Sequence, residues 1–185
     1  MTGVETSTDI QADWQSRCGV QKIVQTDRYG CGIACLAMVT GTTYDQARIH
    51  FNANGFGIRR SGRPPYSTSS REMLQAIATA GLIVECRRWS GWSAFHGLGV
   101  LKVRDDWRGE KGRWHWVVAF RHSEFGVVVL DPHQDVPSFQ IMPAEVLCMD
   151  FQIYEPKGDW FQVEQRIVLE ASGLKPCATD LTNES

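Results

Sequence analysis

Gln25-Thr26-Asp27-Arg28-Tyr29-Gly30-Cys31-Gly32-Ile33-Ala34-Cys35-Leu36-Ala37-Met38-Val39-Thr40-Gly41 is the stretch on which the reading of this chain turns. From Cys31 to Thr40 it is small and apolar on nearly every side, with Gly30 before it and Gly41 after, the pattern of a buried helix closed by a glycine stop. Cys31 then falls in the first turn, where free backbone N–H groups and the helix dipole favour a thiolate, the nucleophilic form of cysteine. Gly30 and Gly32 on either side are expected to leave its approach clear of side chains and to allow a tight entry into the helix. Cys35, one turn further in, points the same way but is covered, and is read as structural. Gln25 carries an amide whose NH2 reaches toward the same point. With the Cys31 backbone N–H it would make a two-donor oxyanion hole.

Downstream of this helix the pattern stays helical, then changes. Thr43 to Phe51 reads as a second helix capped by Thr43, with Tyr44, Ala47 and Phe51 on one face. Asn52 to Ser69 resists regular structure, because it holds Gly55, Gly57, Gly62, Pro64 and Pro65 together with the cluster Arg59, Arg60 and Arg63. Ser70 to Ala80 is a third helix, stopped by Gly81. Beyond it come short runs rich in Val, Leu and aromatics: Leu82 to Cys86, Gly99 to Val103, Trp114 to Phe120 and Gly126 to Leu130, with Phe151 to Tyr154 as a further candidate. Helices first and strands afterwards predict an α+β fold with the helices packed on one side of a mainly antiparallel sheet. The chain divides into a tail over 1–20, a body over 21–156 and a C-terminal extension over 157–185. The extension carries Trp160, Phe161, Val163, Ile167, Val168 and Leu169 to dock on the body, and its end from Cys177 is expected to be loose.

A cysteine nucleophile needs a base, and five histidines compete. His115 lies on the run Trp114 to Phe120, sharing a face with Val117 and Ala119 while Trp114, Trp116 and Val118 take the other. The next run ends in Asp131-Pro132. If Arg121 to Phe125 forms a hairpin loop, Phe120 faces Gly126 and His115 falls opposite Asp131, which would hold the ring in the tautomer that frees its other nitrogen for Cys31. His50, His96 and His122 have no such setting. His133 is the best rival, because it also follows the strand end. A lone strand histidine is more often a packed core residue, so the weight lies on the ordered set of Gln25, Cys31, His115 and Asp131.

Composition narrows the function classes. The chain has 185 residues, long enough for one ordinary core, and its hydrophobic and charged shares of 43% and 22% are those of a globular protein. A formal net charge of −2 advertises neither a nucleic acid nor a membrane surface as partner. No basic residue precedes Arg17 and no long apolar run occurs, so a soluble, cytoplasmic protein without a membrane span is expected. In that compartment the six cysteines read as free thiols, and oligomeric state is left open.

At these residues the sequence resembles the papain-like cysteine peptidases, and among them the bacteriocin-processing peptidases that remove double-glycine leader peptides. The likeness rests on Gln25 before Cys31, the run Cys31 to Met38, the His-aromatic-Val-Val pattern from His115 and the strand ending in Asp131-Pro132. It spans about Val20 to Tyr154. The resemblance implies a papain-like domain that cleaves a peptide or isopeptide bond, with Cys31 as nucleophile, His115 as base, Asp131 as orienting acid and Gln25 as oxyanion donor. It implies a peptide or protein substrate and no cofactor or metal. The family usually has an acidic residue just before the nucleophile, where this chain has Gly30. An amidase, an acyltransferase or an inactive peptide-binding module of the same fold remain as alternatives. Metal binding by Cys31, Cys35 and a histidine lacks the paired clusters of a zinc site, and the three loop arginines read as a solvated face.

Overall fold

The computed structural model describes residues 19–58, 61–62, 64–104, 114–122, 126–135, 139–141, 154, 156 and 158–164. Among these residues three helices precede the strands: α1 (Cys31–Thr40), α2 (Tyr44–Ala53) and α3 (Ser70–Thr79). Every residue of α1 from Gly32 to Val39 is buried, which is why its sequence shows no polar face. Gly41 ends it at φ +65°, a left-handed conformation that glycine adopts without cost. A capping box opens α2: Thr43 Oγ1 accepts from the Gln46 N–H while the Gln46 side chain accepts from the Thr43 N–H. Ser69 and Glu72 repeat the same device at α3.

Six strands follow among the described residues: β1 (Ile83–Arg88), β2 (Leu98–Arg104), β3 (Trp114–His122), β4 (Gly126–Leu130), β5 (Phe139–Ile141) and β6 (Asp159–Glu164). They form one sheet in the order β1-β6-β2-β3-β4-β5, and every described pair is antiparallel. The α+β reading therefore holds, with the helices on one face. Trp116, Val118, Phe120, Val128 and Leu130 of that face pack with α1, α2 and α3. Val117, Ala119, Leu101, Val103, Val127 and Val129 face the other way, where Trp92, Phe95, Trp160 and Tyr154 cover them. This is the alternation expected of strands buried on both faces.

Two sequence expectations change. Residues 159–164, assigned to an extension docked on the body, are instead an interior strand: β6 pairs with β1 on one side and β2 on the other. The boundary expected after residue 156 thus falls inside the sheet, because a strand with Trp160, Phe161 and Val163 buried closes the gap that β1 and β2 would leave. The β3–β4 hairpin is also tighter than expected. His122 pairs with Gly126 and Phe120 with Val128, so Arg121 and His122 belong to the strand and the register moves by two residues. The Arg121 N–H donates to Gly97 O at 2.9 Å and its Nε to Phe95 O at 2.6 Å, which holds the end of β3 in the sheet. A shift of two keeps every side chain on its expected face. Of the candidate strand from Phe151, residues 151–153 lie outside the described residues and Tyr154 stands outside any strand. The arginines at 59, 60 and 63, the tail to residue 18 and the chain end also lie outside them.

Candidate active site

The site forms where the start of α1, the start of β3 and the end of β4 meet. Cys31 is the first residue of α1 and is partly exposed, so its N–H is one of those a helix start leaves without an intrahelical acceptor. His115, 4% exposed, sends Nε2 to Asp131 Oδ1 at 2.8 Å. The hairpin register would set Asp131 across from Val117, so the two side chains meet on the diagonal rather than directly opposite. Asp131 is fully buried and accepts two further bonds, from the His133 N–H at 2.8 Å and from the Tyr154 hydroxyl at 3.3 Å. Three donors on one buried carboxylate fix its orientation.

The electrostatics follow from that packing. Burial works to lower the His115 pKa, but the hydrogen bond the ring donates to Asp131, the contact with Cys31 and the negative charges of both outweigh it and push the ring from 6.5 up to about 9. His115 is therefore protonated at neutral pH. Cys35, fully buried behind Cys31, has its thiol pushed up by burial first and by the charges of Cys31 and Asp131 next, so it stays a thiol.

The four expected residues do not all behave as expected. The backbone of Gln25 is tied to the site, its N–H donating to Pro132 O at 2.9 Å, while Lys22 Nζ donates to His133 O at 2.8 Å. Its side chain turns elsewhere: Nε2 donates to the carbonyls of Asp27 at 3.3 Å and Arg28 at 3.2 Å, and Oε1 is buried with no partner among the described residues. The rivals of His115 point away. His133 Nδ1 accepts from the Asp135 N–H, His50 Nε2 bonds Thr79 Oγ1 and His96 Nδ1 bonds Ala94 O.

The glycines around Cys31 serve packing rather than access. A Cβ on Gly32 would come within 2.6 Å of Thr68 Oγ1 and 2.9 Å of Met73 Cε, so the segment before α3 lies flush on the helix start. Trp116 Nε1 donates to Thr68 O at 3.1 Å and ties that segment to β3. A Cβ on Gly30 would stand 1.9 Å from the Tyr44 hydroxyl. That hydroxyl donates to Asp27 Oδ2 at 2.9 Å, which Arg48 also approaches at 3.8 Å. Burial and the Asp27 carboxylate hold the Tyr44 pKa well above its ordinary value. The place of a side chain before Cys31 is thus filled by Tyr44. Sequence reasoning missed Tyr44 and Tyr154, since neither has a local signal linking it to Asp27 or Asp131.

No family model and no curated protein matches the sequence. Solved structures do. The peptidase domain of Streptococcus ComA, a bi-functional ABC transporter involved in quorum sensing, aligns with a TM-score of 0.52 at 16% identity, covering 78% of this chain and 98% of that one. The chain has the fold of a double-glycine peptidase domain. A double-glycine motif protease from an AMS/PCAT transporter, solved with its leader peptide, aligns at a TM-score of 0.50 and 18% identity over 78% of this chain and 90% of its own. In this peptidase-like fold no described helix is long and apolar enough to cross a membrane. Among the described residues no group of three or more His, Cys, Asp or Glu is placed to hold a metal ion.

Proposed function

We propose that this chain is a cysteine peptidase that hydrolyses a peptide bond through Cys31, His115 and Asp131. The observation that carries the reading is the buried 2.8 Å bond between His115 and Asp131, on a ring whose charged form Cys31 also stabilises. With Nε2 committed to Asp131, the other ring nitrogen serves Cys31. The Cys31 thiolate attacks the carbonyl carbon of the substrate, and the imidazolium offsets its charge. The C–N bond then breaks, His115 gives its proton to the leaving amine, and an acyl-enzyme thioester remains. Water, deprotonated by His115, attacks the thioester, the C–S bond breaks, and the acid product leaves with the thiolate–imidazolium pair restored. The oxyanion of each tetrahedral intermediate takes the Cys31 N–H and, once its amide leaves the carbonyls of Asp27 and Arg28, the Gln25 side chain. A leader peptide ending in two glycines is the substrate class to try first, because the AMS/PCAT protease was solved with its leader peptide.

The engaged Gln25 amide also favours a second reading, a peptide-binding module of this fold without turnover. A peptide library and a peptide bearing a thiol-directed electrophile separate the two. Cleavage together with labelling, both lost in Cys31→Ala, is the expected result. Cleavage that survives in Cys31→Ala overturns the mechanism, and labelling without cleavage of any peptide favours the binding module.

A further inference from the structure

The Gln25 side chain is held by its own loop, and that loop is held in turn by α2. Its Nε2 donates to the carbonyls of Asp27 and Arg28, while its Oε1 is buried with no partner among the described residues. An unpartnered buried acceptor offsets much of what two ordinary hydrogen bonds contribute, so the amide by itself holds this position weakly. The root of the side chain is fixed beside the site, because the Gln25 N–H donates to Pro132 O, one residue after Asp131. With its root fixed, the amide moves by rotation of the side chain alone.

The two carbonyls are placed by a turn that α2 clamps. Asp27 O also accepts the Gly30 N–H at 3.0 Å, which closes the turn immediately before Cys31. The Tyr44 hydroxyl donates to Asp27 Oδ2 at 2.9 Å and accepts from the Asp27 N–H at 3.4 Å, so it holds that residue by side chain and backbone together. Tyr44 is buried and its hydroxyl lies against Gly30, so it touches both ends of the turn. Arg48, also on α2, approaches the same Asp27 oxygen at 3.8 Å while it pairs with Asp45 at 3.2 Å. The hydroxyl is the closer of the two holds.

We propose that Tyr44 is a positioning residue for the reaction: by clamping the turn from Asp27 to Gly30 it keeps the Gln25 amide on the carbonyls and off the oxyanion, and release of that hold sets part of the turnover rate. The effect on rate rests on the peptidase reading, whereas the hold of Tyr44 on the Gln25 amide does not. Because the oxyanion exists only after attack on the carbonyl, the effect falls on kcat and not on KM.

The test compares the full chain with Tyr44→Phe, which keeps the ring and removes the hydroxyl, and with Asp27→Ala, which removes the same contact from the other side. Turnover is measured on the peptide of the library cleaved fastest, a glycyl-glycine aminomethylcoumarin amide being tried first. The Gln25 amide is followed by its Nε2 signals in the NMR spectrum of isotope-labelled protein, assigned by their loss in Gln25→Ala. In the wild type those signals should stand apart from the free-amide position, and in both variants they should move toward it. With them kcat should rise roughly fivefold at constant KM, the scale of one hydrogen bond. The gain should vanish in a Gln25→Ala background. A Tyr44 that only supports the fold would leave kcat unchanged, lower it, or alter it equally with and without Gln25. Any of these results overturns the proposal, as do Gln25 signals that stay in place in both variants. Moved signals without cleavage of any peptide by any of these proteins keep the hold and refute the peptidase reading, and cleavage with unmoved signals does the reverse.

Discussion

Asp131→Asn removes the charge that faces His115 while keeping an acceptor of nearly the same shape. In the intact protein the ring pKa stands at about 9 against an ordinary 6.5, which corresponds to about 3 kcal/mol of preferential stabilisation of the charged ring. Because the folded value is the raised one, this contribution is fully present below pH 6.5 and is lost as pH rises through about 9. The hydrogen bond to Asp131 is the largest of the causes that raise it and the Asp131 charge adds to it, so a weaker neutral acceptor without that charge lowers the ring pKa in the variant. Two measurements follow from this. In the wild type an NMR titration of histidine-labelled protein should show one buried ring titrating near pH 9, and urea unfolding should lose about 3 kcal/mol between pH 6.5 and 9 relative to Asp131→Asn. The alkaline limb of kcat/KM should move down with the ring. A His115 that titrates near 6.5 in the wild type, or parallel stability curves for the two proteins, refutes the account of the site.

Cys31→Ala should abolish turnover with the fold intact, whereas Cys35→Ala should cost roughly 1 kcal/mol in urea unfolding, as a small apolar deletion does. Iodoacetamide on the native protein should label Cys31 and the exposed Cys86 and spare buried Cys35, and His133→Ala should leave the pH dependence of labelling at Cys31 unchanged, as mass spectrometry of the digested protein would show. Gln25→Ala should lower kcat roughly a hundredfold with little change in KM, the effect of losing one oxyanion donor, and an unchanged kcat under rate-limiting chemistry would remove Gln25 from the site. Gly30→Ala should destabilise by about 1–3 kcal/mol through overpacking against Tyr44, and the penalty should shrink in a Tyr44→Phe background, where the nearest atom moves from 1.9 Å to the ring carbon at 3.1 Å.

Much of this protein was legible in its sequence because the signals involved are local. A ten-residue run of small apolar residues between two glycines reads as a buried helix, which put Cys31 at a helix start. Thr43 with Gln46, and Ser69 with Glu72, mark helix starts by bonds that span three residues. The faces of β3 were readable from alternation alone, and His115 and Asp131 could be paired even on a register wrong by two, since such a slip changes no face. Tertiary structure decided what depends on partners distant in the chain. Only strand pairing could show that Asp159 to Glu164 completes the sheet between β1 and β2, since the same apolar alternation would also suit a docked extension. Only packing could show that the space beside Gly30 belongs to Tyr44, that Gly32 bears Thr68 and Met73, that Tyr154 donates to Asp131 and that the Gln25 amide turns to its own loop. Period and capping are properties of a few consecutive residues, whereas register, strand order and the direction of a polar side chain are set by contacts that exist only once the chain has closed on itself.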